Sequence, residues 1–520
     1  MKARPLLPLW ASISLLTCSC AVTPRAPQAH DFRKAISRIE NNDPGSPAVL
    51  SARLAYASFL LRDASGPCTQ RLMLAQDQLG SVEANPETRV ISPDSLARAA
   101  DLEYGLHLAR ATCGSKPDRE EELGAALAAA RRAVELHRNV FDYQSMVVMQ
   151  FNTSVVLHQL GDDAMAIASL EAALDMDREY GFRDDAVENY KLLLTWKDEP
   201  AGPAQVAALM RDFPTRRAIL KFAWRPCDAH VAFENRREAI SDGKIFAGRT
   251  AARFERHISA DHGGSWSVSY AQRLSQYDPG VWATTAGPHA PAAVFTPTVL
   301  PALGFKVSAT GQFGDVTDSK AFAARLVAIT QALIRSRAPS GKPVHDLTED
   351  AVESTPVALS PGALEAATAE DYALQTAMWI GATLEQGVWY ELSAPLALPG
   401  FPRVVLQHRI TFAFTRMVPC SAGAASHGCV ELVIRAAPDP QALMDFTGNP
   451  WDPHYAGSIE ARIVTDPATL LPYTLEERVS WYYPDGGGKT VVESDHLVST
   501  TSYRDGIDSP VRAIAGRVSR

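Results

Sequence analysis

The sequence predicts an α+β multidomain protein, in which a row of helices precedes a mainly antiparallel β-sheet with helices packed on it. The chain has 520 residues, more than one hydrophobic core usually supports. Residues 47–214 are rich in alanine and leucine at helical spacing. From 216 onward, short β-like runs alternate charged with apolar residues. We therefore place a helical domain at 46–215 and a sheet domain at 216–520.

The N-terminal segment has the pattern of an export signal. Lys2 and Arg4 give a positive start, and the apolar run over 6–16 is too short to cross a bilayer as a permanent helix. The residues that follow are polar and contain several prolines. The pattern predicts a signal peptide over 1–20 and a flexible tether over 21–45.

Two cysteines one residue apart close the apolar run. Cys20 follows Ser19, whereas Cys18 follows Thr17 and has Leu15 three residues before it. The stretch resembles the lipobox of bacterial lipoproteins, in which a small residue precedes the lipidated cysteine and a leucine stands three residues before it. We assign the lipid to Cys20, with Cys18 as the alternative. Since no aspartate follows either cysteine, the resemblance implies an outer-membrane anchor and a protein that faces the periplasm. An ordinary secretory signal is the other interpretation.

The composition argues against a nucleic-acid partner and limits how the protein could attach to a membrane. Fifty basic residues stand against 59 acidic ones, which gives a net charge of -9, and the basic residues are spread along the chain. This distribution argues against nucleic-acid binding. No second apolar stretch approaches membrane-spanning length, so we expect the N-terminal lipid to be the membrane attachment.

The clearest helical unit is LGDDAMAIASLEAALDMD. It places Gly161 in a turn and Ala166, Leu170 and Ala173 along the next helix, where the alanines let a paired helix approach closely and the leucine fills the space between the pair. These positions resemble those of a tetratricopeptide repeat. Weaker helix pairs are 46–61 with 68–82, 94–113 with 120–138, and 184–196 with 202–213. The resemblance implies a solenoid of stacked repeats, and a plain helical bundle is the alternative.

The repeat interpretation bears on the cysteines of the helical region. Cys68 and Cys113 lie in or beside the turns of two consecutive helix pairs. Because equivalent turns of stacked repeats lie on one edge, the resemblance implies that the two sulfurs meet as a disulfide. Cys227 is then the unpaired cysteine, which we interpret as a small buried apolar residue.

A second cysteine pair brackets a short loop of small residues. Cys420 and Cys429 lie between two β-like runs, and export makes a disulfide between them possible. Closing so short a loop would stabilise the fold by about 2.5 to 3 kcal/mol on the chain-entropy model. The alternative is a metal site that includes His427, but a fourth ligand and the tight cysteine spacing of zinc modules are missing. We predict the disulfide and no metal.

The last third of the chain indicates an antiparallel meander. The turns DPAT and PDGGG separate its final β-like runs. The stretches GVWYELSAPLALPG and VTDPATLLPYTLEERVSWYY resemble a loose group of exported bacterial lipoproteins with an uncharacterised sheet domain, over about residues 300–503. The resemblance implies a curved sheet packed on helices, and no chemistry.

Catalytic motifs are missing from the sequence. It contains no GxSxG nucleophile elbow, no HExxH and no GxxxxGK phosphate loop, so we predict no catalytic residue and no cofactor. The segment NPWDPHY gathers Trp451, Asp452 and His454, which is a candidate ligand-binding cluster through stacking and charge. Its proline, asparagine and aspartate are also common in turns for backbone reasons.

These observations predict a non-enzymatic, periplasm-facing lipoprotein that acts as a protein-binding scaffold in the bacterial cell envelope. An unidentified envelope protein would bind to the helical repeats, because solenoids expose an extended concave surface. One alternative is a carrier that binds a lipid or another apolar ligand in a half-barrel of the sheet domain. The other is a hydrolase with an unrecognised site.

Overall fold

A computed structural model describes most of the two predicted domains. The described residues are 28–42, 47–62, 67–83, 93–113, 116–213, 216–241, 244–284, 296–297, 301–337, 356, 359–398, 401–421, 428–447, 456–484 and 490–503. Outside them lie the residues predicted for lipidation and ligand binding, Cys18, Cys20, Trp451, Asp452 and His454, and also His427.

Nine helices of the described chain form the N-terminal domain, and each packs against the next along the sequence. Helix α2 also contacts α4. The bounds are α1 Ala29–Asn42, α2 Pro47–Arg62, α3 Cys68–Glu83, α4 Pro93–Cys113, α5 Lys116–Asn139, α6 Tyr143–Gln159, α7 Asp163–Tyr180, α8 Arg183–Trp196 and α9 Pro203–Asp212. The predicted helices are therefore observed as a row in which each helix packs against the next.

Helix α1 occupies residues that the sequence predicts as a flexible tether. Ile36 and Ile39 are buried, and the ring of Phe32 stacks on Tyr56 of α2 with centroids 5.6 Å apart. Apolar side chains at this spacing form one face of a helix, and burying that face offsets the loss of chain entropy. The tether prediction is therefore wrong for residues 29–42.

The α6–α7 pair has the local signals on which the helical prediction depends. The Asp162 carboxylate accepts a hydrogen bond from a backbone amide in the first turn of α7. Gly161 adopts φ +81° in the turn before it, a conformation that favours glycine. Ala166, Leu170 and Ala173 are fully buried, as predicted from their spacing.

The C-terminal domain is built on a 12-stranded sheet in which every neighbouring pair is antiparallel. Its order is β7-β6-β4-β3-β2-β14-β13-β12-β11-β10-β9, with β5 paired to β4, and a separate pair joins β1 to β8. The bounds are β1 Arg217–Ile219, β2 Cys227–Ser241, β3 Lys244–Ala260, β4 Trp266–Thr284, β5 Thr296–Pro297, β6 Leu303–Val307, β7 Phe313–Thr317, β8 Thr383–Glu385, β9 Trp389–Leu398, β10 Phe401–Val418, β11 Cys429–Pro438, β12 Ala456–Thr465, β13 Pro472–Pro484 and β14 Thr490–Tyr503.

Two features of this sheet differ from the sequence prediction. Strands β2, β3 and β4 have 15, 17 and 19 residues, whereas short runs were expected. Strand β4 continues to Thr284, through part of the segment 275–299 that the sequence predicts as a loop. Pairing with β3 over this stretch supplies the backbone hydrogen bonds that a loop would leave to water. The predicted antiparallel meander is observed over β9–β14.

One face of the sheet carries the apolar core of the domain. Leu432, Ile463 and Leu475 on three neighbouring strands are nearly or fully buried, together with Trp379. Helix α11, Pro361–Gln375, places Tyr372 in an adjoining aromatic cluster. The remaining helices of the domain are α10, Ser319–Arg337, and α12, Pro440–Thr447. We call this side the core face.

Both predicted cysteine pairs are joined as disulfides. Cys68 bonds to Cys113 and Cys420 bonds to Cys429, which excludes the metal site considered for the second pair. Cys227 is free and half-buried, not fully buried as predicted. Within the described ranges, no cluster of three or more histidine, cysteine or acidic side chains is arranged to hold a metal ion. No described helix has both the length and the apolar character needed to span a membrane.

Candidate functional site

The side of the sheet opposite the core face is rich in charged side chains, and we call it the charged face. Paired residues on neighbouring strands point to the same side of a sheet. The register therefore places Arg249, Arg236, His496 and Arg478 next to one another, on β3, β2, β14 and β13. We call these four residues the basic row.

The helical domain docks on the charged face from the β13 end of the basic row, at Arg478, onward to β11 and β10. Arg435 of β11 donates to Asp142 at 2.9 Å and to Asp94 at 2.6 Å. Asp142 caps α6, and Asp94 lies in the first turn of α4. One sheet arginine thus contacts the beginnings of two helices, which fixes this edge of the helical row on the sheet.

The turn between α7 and α8 makes a second, closely packed contact. Gly181 adopts φ +83°, and a Cβ atom there would lie 2.8 Å from the Gln386 carbonyl oxygen. The Gln386 side-chain amide donates to the Glu179 carbonyl oxygen at 2.5 Å. Because glycine alone allows this approach, the chain is adapted to the docking geometry at this turn.

A cavity of about 440 Å³ remains between the docked helices and the sheet, and we call it the interdomain pocket. The Arg416 guanidinium lies 5.8 Å from the Tyr143 ring centroid and 5.2 Å from that of Tyr180. These two rings stack on each other at 4.3 Å. On the other wall, Arg462 and Arg478 lie over the Phe141 ring, at 5.8 and 5.2 Å. Each contact joins a sheet cation to a helix-domain aromatic ring.

Carboxylates neutralise the arginines of the interdomain pocket. The buried Glu431 accepts from Arg416 at 3.2 Å and from Arg462 at 3.3 Å, and Arg416 also pairs with Glu179. Glu476 accepts from Arg462 at 3.2 Å, from Arg478 at 2.9 Å and from His496 at 3.1 Å.

The electrostatics of the pocket indicate cohesion and do not indicate acid–base chemistry. Burial alone would raise the pKa of Glu476, but the His496 hydrogen bond and the Arg478 and Arg462 charges outweigh burial and hold that pKa at about 2. Burial raises the pKa of Tyr180 to about 12 and raises that of Tyr143 further. Neither phenol titrates near neutral pH, and the Glu476 carboxylate stays ionised and paired. We interpret the pocket as part of the interface that holds the two domains together.

A second cavity, of about 510 Å³, opens on the charged face over β14, β2 and β3. We call it the sheet groove. The side chains of the charged face that line it are Ala232, Glu234, Arg236, Ala251, Arg253, His496, Val498 and Thr500. Register places Thr500, Ala232 and Arg253 in one line across the strands, and Val498, Glu234 and Ala251 in the next. The basic row forms the third line.

The sheet groove brings charged and small apolar side chains together. Arg236 donates to Glu234 at 2.8 Å, and Arg249 reaches the same carboxylate at 3.0 Å. The Arg236 hydrogen bond lowers the pKa of Glu234, so this carboxylate is ionised. Ala232 and Ala251 lie beside Arg253 and present small apolar surface. The arrangement can bind and orient a ligand, and the described side chains that line it include no nucleophile with an adjacent base.

Neither cavity is predicted by the sequence pattern. The alternation of Glu234, Arg236 and Glu238 along β2 is visible in the sequence and does predict a polar strand face. The basic row depends on the pairing of β2 with β14, which are more than 240 residues apart in the chain. A strand register of that kind is not accessible from periodicity alone.

Comparisons with known proteins give little similarity. No family model matches the chain, and no curated protein sequence matches it. A solved structure entitled "Lipid-protein interactions in lipovitellin" aligns with 54% of this chain and 26% of its own, at 8% identity and a TM-score of 0.26. The chain thus spans about a quarter of that protein's length. At this TM-score the similarity establishes neither a shared fold nor a shared ligand, and the chain is assigned to no family.

Proposed function

We propose that the protein is a non-enzymatic, lipid-anchored scaffold of the bacterial envelope, which binds a partner protein through stacked, tetratricopeptide-like helix pairs. The lipid would be on Cys20 and the chain would face the periplasm. Two disulfides favour an oxidising compartment, because disulfides persist there and are rare in the cytosol. The first of them links consecutive helix pairs.

The observation that carries this proposal is the way in which the helical row is held. The starts of α4 and α6 and the α7–α8 turn lie on the sheet, through Asp94, Asp142 and Gly181. The other end of α6, a helix of 17 residues, is therefore about 25 Å away. The row of helices is fixed along one edge and projects from the sheet. This attachment holds the surface of the helices in a preorganised form, which lowers the entropic cost of binding a partner.

Apolar side chains on the projecting helices are candidate contacts for a partner. Met73 of α3 is 55% exposed and Met165 of α7 is 49% exposed. Exposed methionines adapt to different apolar surfaces, which suits them to protein recognition. We expect Met73→Ser with Met165→Ser to lower the amount of partner that co-purifies. Val405→Ser, at a 57% exposed valine of β10, is the matched control. Equal recovery of partner with both variants would contradict the scaffold role of these helices.

Fractionation of cells tests the anchoring. Cys20→Ser should release the protein to the soluble periplasm or block its processing, because the lipid would have no site of attachment. Cys18→Ser should leave the protein in the outer-membrane fraction. If the Cys18 substitution alone releases the protein, the lipid is on Cys18, and if neither does, the lipoprotein assignment is wrong.

A second candidate function is that of a carrier for an apolar ligand, which the sequence pattern also allows. The sheet groove favours it, because Ala232, Ala251 and Val498 form a small-residue surface within an otherwise charged face. Native mass spectrometry of gently purified protein tests it. Co-purified ligand that is lost in Ala251→Phe would support a carrier, whereas an unliganded mass with no uptake of added lipid would oppose it.

A further inference from the structure

We propose that the sheet groove binds an anionic amphiphile, with the oxyanion headgroup on Arg253 and the apolar chain over Ala232, Ala251 and Val498. The inference rests on the second candidate function and names its ligand class. The groove is a different cavity from the interdomain pocket, whose arginines are already neutralised by carboxylates.

The basic row is the first observation that leads to this proposal. Like charges at directly opposite positions of neighbouring strands are destabilising. Here Arg249 is paired with Arg236, Arg236 with His496, and His496 with Arg478, so four basic side chains adjoin across four strands. Such a row raises the positive potential at one side of the groove. Glu234 and Glu476 offset part of this repulsion, so the row gives the groove one basic side and is not itself the headgroup site.

The second observation concerns Arg253, whose position and contacts differ from those of the basic row. Arg236 and Arg249 both engage Glu234, and His496 engages Glu476. Arg253 is exposed, and among the described residues its guanidinium has no carboxylate within ion-pair distance. A headgroup can therefore bind there without displacing an existing partner. A planar guanidinium also matches the two oxygens of a carboxylate or phosphate.

The floor of the groove supplies the third observation. Ala232 is paired with Arg253 across the strands, and Ala251 is two residues before Arg253 on β3, so both lie next to the guanidinium. Val498 on β14 is the diagonal neighbour of Ala232, and Glu234 lies between Val498 and Ala251. At about 510 Å³ the cavity is in the size range of small-ligand sites. The cation beside small apolar side chains matches a molecule with one charged end and one apolar end.

Calorimetric titration of the full chain with four probes tests the proposal. Oleate supplies a carboxylate and a chain, oleoyl lysophosphatidate a phosphate and a chain, methyl oleate a chain without charge, and inorganic phosphate a charge without a chain. We expect oleate or lysophosphatidate to bind at least tenfold more tightly than methyl oleate or phosphate. The tighter of the two identifies the headgroup. Equal affinity for oleate and methyl oleate, or tight binding of phosphate alone, would overturn the proposal.

Two variants and a control locate the ligand. Arg253→Gln should weaken oleate binding about tenfold, equivalent to about 1.4 kcal/mol, and leave methyl oleate unchanged. Ala251→Phe should weaken both, because the added ring fills the floor. Arg409→Gln, at an exposed β10 arginine paired with Glu391 at 3.1 Å, should bind like the parent. Circular dichroism verifies that each variant is folded.

The outcomes separate this inference from the carrier function on which it rests. If methyl oleate binds well and Arg253→Gln has no effect, the carrier function stands and the anionic headgroup is wrong. If no chain-bearing probe binds the folded parent, both fail. If oleate binds but neither Arg253→Gln nor Ala251→Phe weakens it, the ligand lies elsewhere and the assignment to the groove is wrong.

Discussion

The Arg435 guanidinium of the sheet lies 2.9 Å from the carboxylate of Asp142, whose other oxygen caps helix α6. The same carboxylate lies 3.6 Å from the imidazole of His137 in α5. Burial alone would raise the pKa of Asp142, but the nearby His137 imidazole and the Arg435 charge hold it well below its usual range. The contact joins a strand, a helix cap and a buried histidine into one network.

Removing the Arg435 side chain should weaken the contact between the two domains. Arg435→Ala leaves Asp142 and Asp94 without their cation, and breaking one partner of a largely buried pair costs about 3 kcal/mol. We expect a lower urea midpoint and faster proteolysis near the domain boundary at 214–216. As a control, Arg409→Ala removes an exposed pair and should cost less than 1 kcal/mol. Equal effects of the two substitutions would contradict a specific docking role for Arg435.

Alkaline pH should weaken the same network. Burial alone would lower the pKa of His137, but its hydrogen bond with Asp101 and the nearby Asp142 carboxylate outweigh burial and raise the pKa to about 9. Since the usual value is about 6.5, the stabilisation is fully present below pH 6.5 and is lost as pH rises through 9. We expect the free energy of unfolding to fall between pH 7 and 9.5.

The His137 contribution can be separated from that of a second group. Buried Asp177 has a pKa raised to about 8 by desolvation, and its ionisation also reduces stability as pH rises. The difference between the parent and His137→Gln therefore isolates the histidine. That difference should shrink towards pH 9.5. A constant difference over the whole range would show that His137 is not charged in the folded protein.

Helix α7 should tolerate no larger side chain at its buried alanines. Ala166 is fully buried, and Ala166→Leu should cost about 1 to 3 kcal/mol by overpacking. If neighbouring helix pairs support one another, the loss should appear as new proteolytic cleavage within about residues 96–214, with the sheet domain intact. Met165→Leu, at an exposed position, serves as the control. An unchanged digest of Ala166→Leu would contradict close helix packing at this site.

The Cys68–Cys113 disulfide should stabilise the N-terminal helices. Cys68 and Cys113 are 45 residues apart, for which the chain-entropy model gives about 4 kcal/mol. Replacing both with serine should lower the melting temperature of the helical domain. Replacing Cys420 and Cys429, nine residues apart, should cost less, about 2.6 kcal/mol, and affect the sheet domain. The reverse order would contradict the entropic account of these crosslinks.

Local features of the chain were predictable because they depend on spacing within one element. The burial of Ala166, Leu170 and Ala173 follows from helical periodicity, and the pairing of Cys420 with Cys429 follows from a nine-residue loop. Helix α1 was missed because Phe32, Ile36 and Ile39 give an amphipathic signal in a short polar segment that tether-like composition obscures.

The charged face was not predictable, because it is formed by contacts between distant parts of the chain. The alternation of Glu234 and Arg236 indicates a polar strand face and does not show which strand lies beside it. Likewise, nothing in the sequence around Arg435 indicates that this residue pairs with Asp94 and Asp142, which lie about 290 to 340 residues earlier in the chain. Strand register and domain docking decided both arrangements.

Site-specific photo-crosslinking in intact cells tests the scaffold proposal most directly. A photoreactive residue at Met73 or Met165 reports contacts of the projecting helices, and one at Arg409 reports an exposed position on the sheet. The proposal predicts that one discrete envelope protein crosslinks to both helical positions and not to the sheet position. Equal crosslinking at all three positions, or no discrete product from the helical positions in envelopes that contain the anchored protein, would contradict it.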